Sequence, residues 1–483
     1  MATTINLGPV TRVEGHLEVE VTVGAVGGVQ QVTAAKSTGA MFRGFEIILQ
    51  GRDPRDAVQY TQRICGVCPI SHGMAAALSL ESAFGVTAPD NGRIMRNLVL
   101  GANYVQSHIL HFYHLGALDF IDTTTVPATN IPPWTPRYST PDMVKGNLAA
   151  TLVGHYVQAL AMRRKAHQMG AIVGGRLPCT PTYVAGGSTE VPTAQKITDF
   201  RTILTELRQF IDGVYVPDVL AVAGLYPQYY QIGKGPGNLL AYGVFDLDAA
   251  GSTKLLKRGH YTQGAFGDVN TAQIKEYVRY SWYSSASGLN PASGVTTQSA
   301  NKANAYSWIK APRYLEKPHE VGALARMWVN GDYQSGISAL DRHAARALEC
   351  KKVADAMDGW LNELAPGQPT FAPKALPKTA TGMGLTEAPR GALGHWVQIT
   401  NGVISRYQII TPTAWNASPK DDAGTMGPIE QALVGTPVKD VNQPIEVLRV
   451  IHSFDPCLSC AVHMVRPGKD GQKVVIHAAP AAV

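Results

Sequence analysis

RICGVCPISH at residues 63–72 and DPCLSCAVH at 455–463 decide how this chain must fold. Each contains a Cys-x-x-Cys, pairing Cys65 with Cys68 and Cys457 with Cys460, and a pair at that spacing can close on one metal as two thiolates. Together the pairs supply a full tetrahedral sulfur set. The two stretches stand toward opposite ends of 483 residues, so the set exists only in the folded chain and ties its ends at one point. That suits an active site more than a zinc ribbon, whose knuckles lie close together in sequence.

Composition narrows the class. The chain is long enough to bury a large core, and its charged fraction of 16% falls below the roughly 25% of an average soluble domain. A surface so sparsely charged suggests cover by a partner. The formal charge of +6 is diffuse, with Arg163-Arg164-Lys165 the longest basic run, and carries no nucleic-acid or membrane signature. Six cysteines in a chain of this length do not make a disulfide framework, and only Cys179 and Cys350 read as scattered core thiols. No apolar run reaches the ~18 residues of a membrane span, and MATTINLGPV lacks a signal pattern, so export would need a carrier.

Along the chain, the alternation HLEVEVTV at 16–23, the Gly27-Gly28 turn and a second strand near 29–35 predict a hairpin. Asp53-Pro54 predicts a helix start, and Gly66 with Pro69 predicts a break at the first cysteine pair. Ser71 then caps a helix that stops at Gly85, with Cys68 ahead of its N-terminus, where the helix dipole favours a thiolate. His72 stands within reach of that sulfur or faces solvent. A long helical pattern from Asn91 to Phe120 carries His108, His111 and His114 at three-residue steps. That spacing could hold metal, but without an acidic or cysteine companion it reads as a buried histidine face. After a Pro-rich loop at 126–136, helices are expected near 141–172, 192–212, 320–329 and 337–364, then a Pro/Gly link at 366–386. Asn401-Gly402 between apolar runs predicts a second hairpin, and a helix opened by Pro444 delivers the second cysteine pair. The fold class expected is α+β, a mainly helical core with small N-terminal and C-terminal hairpins.

A structural zinc site and an iron-sulfur cluster both fit four cysteines. Neither explains why His463 follows Cys460 by three residues. RICGVC-x-x-x-H paired with DPC-x-x-CAVH resembles the large subunit of nickel-iron hydrogenases. Thr11-Arg12-Val13-Glu14-Gly15-His16, Phe42-Arg43-Gly44-Phe45-Glu46, the SHILHFYHL run at 107–115, Glu387-Ala388-Pro389-Arg390-Gly391 and Trp415-Asn416 extend the resemblance along nearly the whole chain in family order. It is strongest to the exported uptake type, including a selenium-containing branch with selenocysteine where this chain has Cys457.

The resemblance implies that Cys65 and Cys457 are terminal nickel ligands and that Cys68 and Cys460 bridge nickel to an iron carrying one carbon monoxide and two cyanides. It places Pro389, Arg390 and His72 around that centre, with Arg390 donating to cyanide. Glu46, His463 and the carbonyl of Ile409 match a buried magnesium or iron(II) site. Splitting dihydrogen, a very weak acid, needs a hydride acceptor and a nearby base. Cys457 is the base implied, and Glu14 stands in the family's proton-gate position.

With four cysteines committed, Cys179 and Cys350 are too few for an ordinary iron-sulfur cluster, so an iron-sulfur small subunit is expected as obligate partner. Residues 1–463 are expected to form the mature catalytic subunit. The tail 464–483 is expected to be cut by a maturation protease after nickel-insertion factors have acted; the alternative is a permanent strand through 473–477. A periplasmic location follows from export on the small subunit's signal, with the cytoplasm as alternative. Cys179 stands where relatives commonly have histidine and Ser107 where many have an acid. Rival functions are a dihydrogen sensor, a metal-free quinone-binding scaffold that has lost the cysteines, and a zinc protein.

Overall fold

The computed structural model describes residues 2–12, 14–126 and 138–461. His463, the 464–483 tail with its alternative strand, and most of the Pro-rich loop lie outside the described residues. Cys460 lies on a described helix, but its side chain is not described.

An antiparallel three-stranded sheet opens the chain: Thr3–Leu7, Leu17–Val26 and Val29–Gly39. Leu17, Val19, Val21 and Val23 face inward, as the alternation predicts, and Gly27 and Gly28 turn the chain with φ of 58° and 83°. The first strand lies beyond the predicted hairpin. The sheet's buried face packs on α11 (Pro428–Leu433) and α12 (Ile445–Ser453), so the two ends of the chain share one core. Glu430 on α11 accepts a hydrogen bond from the Ser37 amide at 2.9 Å across that contact.

The helical core is built on α4 (Asp90–Leu110), which is buried along nearly its whole length. A helix apolar or buried on all sides must be surrounded. Its neighbours include α5 (Gly146–Gly174) and α9 (Ala339–Glu363), with α6 (Ala194–Phe210) and α7 (Val216–Leu225) outside them. The continuous helix expected to Phe120 instead widens at Leu110 into a π-helical stretch, His111–Gly116, and then a 3-10 turn. α5 begins at Gly146, five residues later than the pattern placed it, and ends at Gly175 with φ 72°.

Between Leu239 and Tyr314 the chain forms short strands, loops and 3-10 turns at Thr271–Gln273 and Pro291–Ser293, and α8 (Ala323–Asn330) follows. The expected link at 366–386 is corrected in its second half, where a strand, Thr379–Ala388, pairs with Gly391–Thr400 and through it with Val403–Ile410. Gly382 and Gly384 gave that stretch the look of a linker. They are there because the strand lies against α3 (Pro69–Phe84), and a Cβ at either would collide with the carbonyls of Ser79 or Ala75. The Asn401-Gly402 turn, φ 55° and 78°, closes the hairpin as predicted. Among the described residues no helix is long and apolar enough to cross a membrane.

Candidate metal centre

The first cysteine pair sits where α2 (Asp56–Thr61) has ended and α3 begins. The Asp53-Pro54 start is corrected by one turn: Asp53 caps that turn by accepting from the Arg55 amide at 2.9 Å, and α2 opens at Asp56. The Ser71 cap is also corrected. Pro69, its φ already helical, takes the first position of α3 and makes Cys68 the N-cap. The turn between the cysteines points amides inward, Val67 N–H lying 3.2 Å and Cys68 N–H 3.4 Å from Cys65 Sγ. Asn103 and Gln106 on α4 both donate to the Val67 carbonyl at 2.9 Å and lock the turn to the core.

The second pair arrives on the segment after α12. Asp455 has φ 56°, a left-handed kink that directs the chain into Cys457 and then α13 (Leu458–Ala461). Thr413, on α10 (Pro412–Asn416), accepts from the Cys457 amide at 3.1 Å, and the Glu14 carbonyl accepts from the Leu458 amide at 3.0 Å. Arg43 bridges the two segments, donating to the carbonyls of Ile64, Arg63 (2.6 Å) and Ser459 (3.2 Å). Gly15 (φ 75°) lies so close to Leu458 and Ser459 that no side chain fits there.

These contacts bring Cys65 Sγ to 3.3 Å from Cys457 Sγ across a separation of 392 residues. The gap exceeds a disulfide bond, about 2.05 Å. The sulfurs of Cys65, Cys68 and Cys457 all lie within 4.8 Å of one another, and all three residues are buried. Among the described residues no other group of histidines, cysteines and acids converges in this way. A buried set of soft thiolates fits nickel and iron better than a hard cation.

Arg390 stands beside the cluster with Nε and Nη2 3.1 and 3.0 Å from Asp455 Oδ1, and Nη1 3.4 Å from Ser107 Oγ. Burial works against its charge, but Asp455 and the sulfurs of Cys457, Cys68 and Cys65 outweigh burial and hold it well above its ordinary range. His72 places Nδ1 3.2 Å from His395 Nε2, and His395 Nδ1 meets the Tyr407 hydroxyl at 2.9 Å. Glu14 is half-buried, with Oε1 3.5 Å from the Gly66 amide in the Cys65–Cys68 turn.

Glu46 on α1 (Phe45–Ile48) and Ile409 are both buried, in elements that pack together. Glu276 is close by: burial pushes its carboxyl up, Lys310 opposes that, and Glu46 adds to it. Gln408 donates to Glu276 at 2.6 Å and Lys310 Nζ lies 3.7 Å from it, so Glu276 already has a cation of its own.

The histidine face is buried, as expected, but the expectation that it lacks an acidic companion is corrected at His108. His108 Nε2 is 2.8 Å from Glu349 Oε2, and His111 bonds the His452 carbonyl at 2.7 Å and Arg346 at 3.2 Å. Cys350 is buried in α9, and burial pushes its thiol well up. Cys179 is half-buried, its sulfur 3.8 Å from the Gln62 carbonyl. Thr413, Arg346 and the pairing of Asp455 with Arg390 were missed in the sequence. Only Asp455 had a signal, its place two residues before Cys457.

A family model described as nickel-dependent hydrogenase matches residues 43–132, 124–337 and 329–463. The chain is 42% identical to the periplasmic NiFeSe hydrogenase large subunit of Desulfomicrobium baculatum, over 98% of this chain and 97% of that one. It is 34% identical to the uptake hydrogenase large subunit of Rhizobium leguminosarum bv. viciae, over 97% and 96%. The solved structure of the H2-activated D. baculatum NiFeSe hydrogenase aligns with a TM-score of 0.91 at 42% identity, covering 96% of this chain and all of that one. The reduced Ni-Fe-Se hydrogenase of D. vulgaris Hildenborough aligns equally, at 43% identity. These relatives are named as hydrogenases, which does not favour the sensor reading.

Proposed function

The chain belongs to the nickel-dependent hydrogenases as a large subunit, and from that premise we propose that its cysteine cluster holds a nickel-iron centre at which dihydrogen is reversibly oxidised to protons and electrons. The observation that carries this is the meeting of Cys65, Cys68 and Cys457 sulfurs within 4.8 Å in the buried core. The centre supplies the electrophile that draws hydride character from dihydrogen. The chain supplies everything around it.

Cys65 and Cys457 would hold nickel, Cys68 and Cys460 would hold nickel and iron together, and Cys457 would be the base that takes the proton. Glu14 carries the proton onward: its carboxyl reaches the Cys65–Cys68 turn while its backbone holds the start of α13, and its half-burial opens a way toward solvent. Arg390 and Pro389 would line the iron side of the centre, and the guanidinium, kept charged by Asp455, would donate to an anionic cyanide of an iron carrying one carbon monoxide and two cyanides. His72, joined to His395, steadies the cysteine side. Glu46, the Ile409 carbonyl and His463 would hold magnesium or iron(II) and so pin the chain end.

Residues 1–463 are the mature subunit. The 464–483 tail is removed by a maturation protease once nickel-insertion factors have loaded the site. Electrons leave through an iron-sulfur small subunit, since Cys179 and Cys350 are too few to hold an ordinary cluster in this chain. The pair works in the periplasm, exported on the small subunit's signal, as the description of the D. baculatum relative suggests.

The test is dihydrogen-dependent reduction of a viologen dye by the purified heterodimer, with metal analysis of the same sample. Dye reduction with nickel present is expected. Zinc alone, with no dye reduction, would overturn the assignment.

A further inference from the structure

Arg326, on α8, is fully buried, and each of its five N–H groups has a partner. Nε and Nη2 form a fork on Glu349, both at 2.6 Å. Nη1 bonds Glu387 at 2.8 Å and the Ala388 carbonyl at 2.9 Å, and Nη2 also reaches the Pro389 carbonyl at 2.8 Å. Glu349 is itself anchored by His108, and Glu387 by the Tyr242 amide.

The two carbonyls belong to the peptide groups on either side of Pro389. A peptide is planar, so holding both oxygens fixes both planes, and the proline ring already fixes φ between them. The backbone therefore enters Arg390 with no soft rotation left. α8 splints the same stretch from outside. Its N-cap, Gly322 (φ 133°), lies so near the Arg390 carbonyl that a Cβ would meet it at 3.2 Å, and Gly391 (φ 136°) closes on Val321. Asn416 brackets Val321 in turn, accepting from its amide at 3.0 Å and donating to its carbonyl at 2.8 Å.

We propose that Arg326 is a positioning residue for the metal centre: by gripping the carbonyls of residues 388 and 389 it sets the direction in which Arg390 presents its guanidinium to the iron-bound ligands. This rests on the reading of the cysteine cluster given above. A lysine offers three donors on a point charge and cannot hold two carboxylates and two carbonyls at once. The paired carboxylates keep the guanidinium charged and centred in a place where an unpaired charge would be very costly.

The experiment is infrared spectroscopy of the mature heterodimer carrying R326K, reading the carbon monoxide and cyanide stretches. R313K is the control, because Arg313 is equally buried and saturated but bonds Pro312, Asp421, Ser418, Pro419 and Thr425 instead. R326K is expected to retain nickel and iron, to shift the cyanide bands, and to lower dihydrogen oxidation roughly ten- to hundredfold. R313K is expected to lower the melting temperature and leave the bands in place. Unmoved cyanide bands in R326K would overturn the proposal. If R326K yields no loaded protein, E387Q, which keeps its shape and drops one charge facing Arg326, is read by the same bands: shifted bands support the proposal and unmoved bands refute it. Wild-type protein without nickel or diatomic bands would refute the reading of the cluster itself, so the two failures are separable.

Discussion

The cysteine cluster and the histidine face of α4 lie in the same buried core and are built from residue types that bind transition metals. They differ in what their ligand atoms already hold. His108 and His111 have ring nitrogens engaged by Glu349, the His452 carbonyl and Arg346, so their lone pairs and protons serve the packing of α4 against α9 and of the π-helical stretch against α9 and α12. The cysteine sulfurs face one another, while the chain's strong donors and acceptors nearby are spent on holding the backbone of the two segments. A metal site is thus recognised less by residue type and spacing than by ligand atoms that converge on each other while the neighbours fix their backbone.

The sharpest way to break this contrast is Cys68→Ser. Loss of the nickel-iron centre and of tail processing is expected, measured by metal content and subunit mass; a normally cleaved, loaded variant would show that the cysteine is dispensable.

Acid should act on the histidines. Burial holds His343 and His319 down to about 3 and His114 down to about 4. Below their ordinary value of about 6.5 the unfolded chain binds protons that the folded chain refuses, so stability is full above that pH and falls as pH drops toward 4. Each contributes about 1.4 kcal/mol per pH unit. Glu387 and Glu430, which burial pushes up to about 7, act in the opposite direction by taking up protons in the fold. Urea unfolding midpoints of the His343→Gln variant should therefore fall less steeply than wild type between pH 6.5 and 4, and equal slopes would mean that His343 is charged in the fold.

Glu14→Gln should slow exchange of dihydrogen isotopes with water by at least about a hundredfold, the span of a general acid-base group, while para/ortho dihydrogen conversion survives. Loss of both together would place Glu14 at the metal itself. The smallest effect is expected from His111→Gln, which leaves a buried Arg346 N–H short of its partner at a cost of about 1–3 kcal/mol, with nickel content unchanged. A fall in nickel content would join the histidine face to the centre.

Much of this was legible in the sequence because local rules agreed with the fold. The Leu17–Val23 alternation, the Asn401-Gly402 turn and the Gly85 helix stop all appear as read. The errors have a common cause. Gly382 and Gly384 imitate a linker, yet they serve a close approach to Ser79 and Ala75 of α3, far away in sequence, and Ser71 gave way as a cap to Cys68 because Pro69 opens the helix. At the centre, the cysteines were legible from spacing, but Thr413 and Arg346 bear on it only through the tertiary fold, and no local pattern marks them.

The most direct test is nickel K-edge X-ray absorption on the purified mature subunit pair. The expected spectrum shows nickel in a sulfur-dominated shell with iron as its next heavy neighbour. Nickel bound by nitrogen and oxygen alone, or a protein containing only zinc, would contradict a centre gripped by cysteines from both ends of the chain.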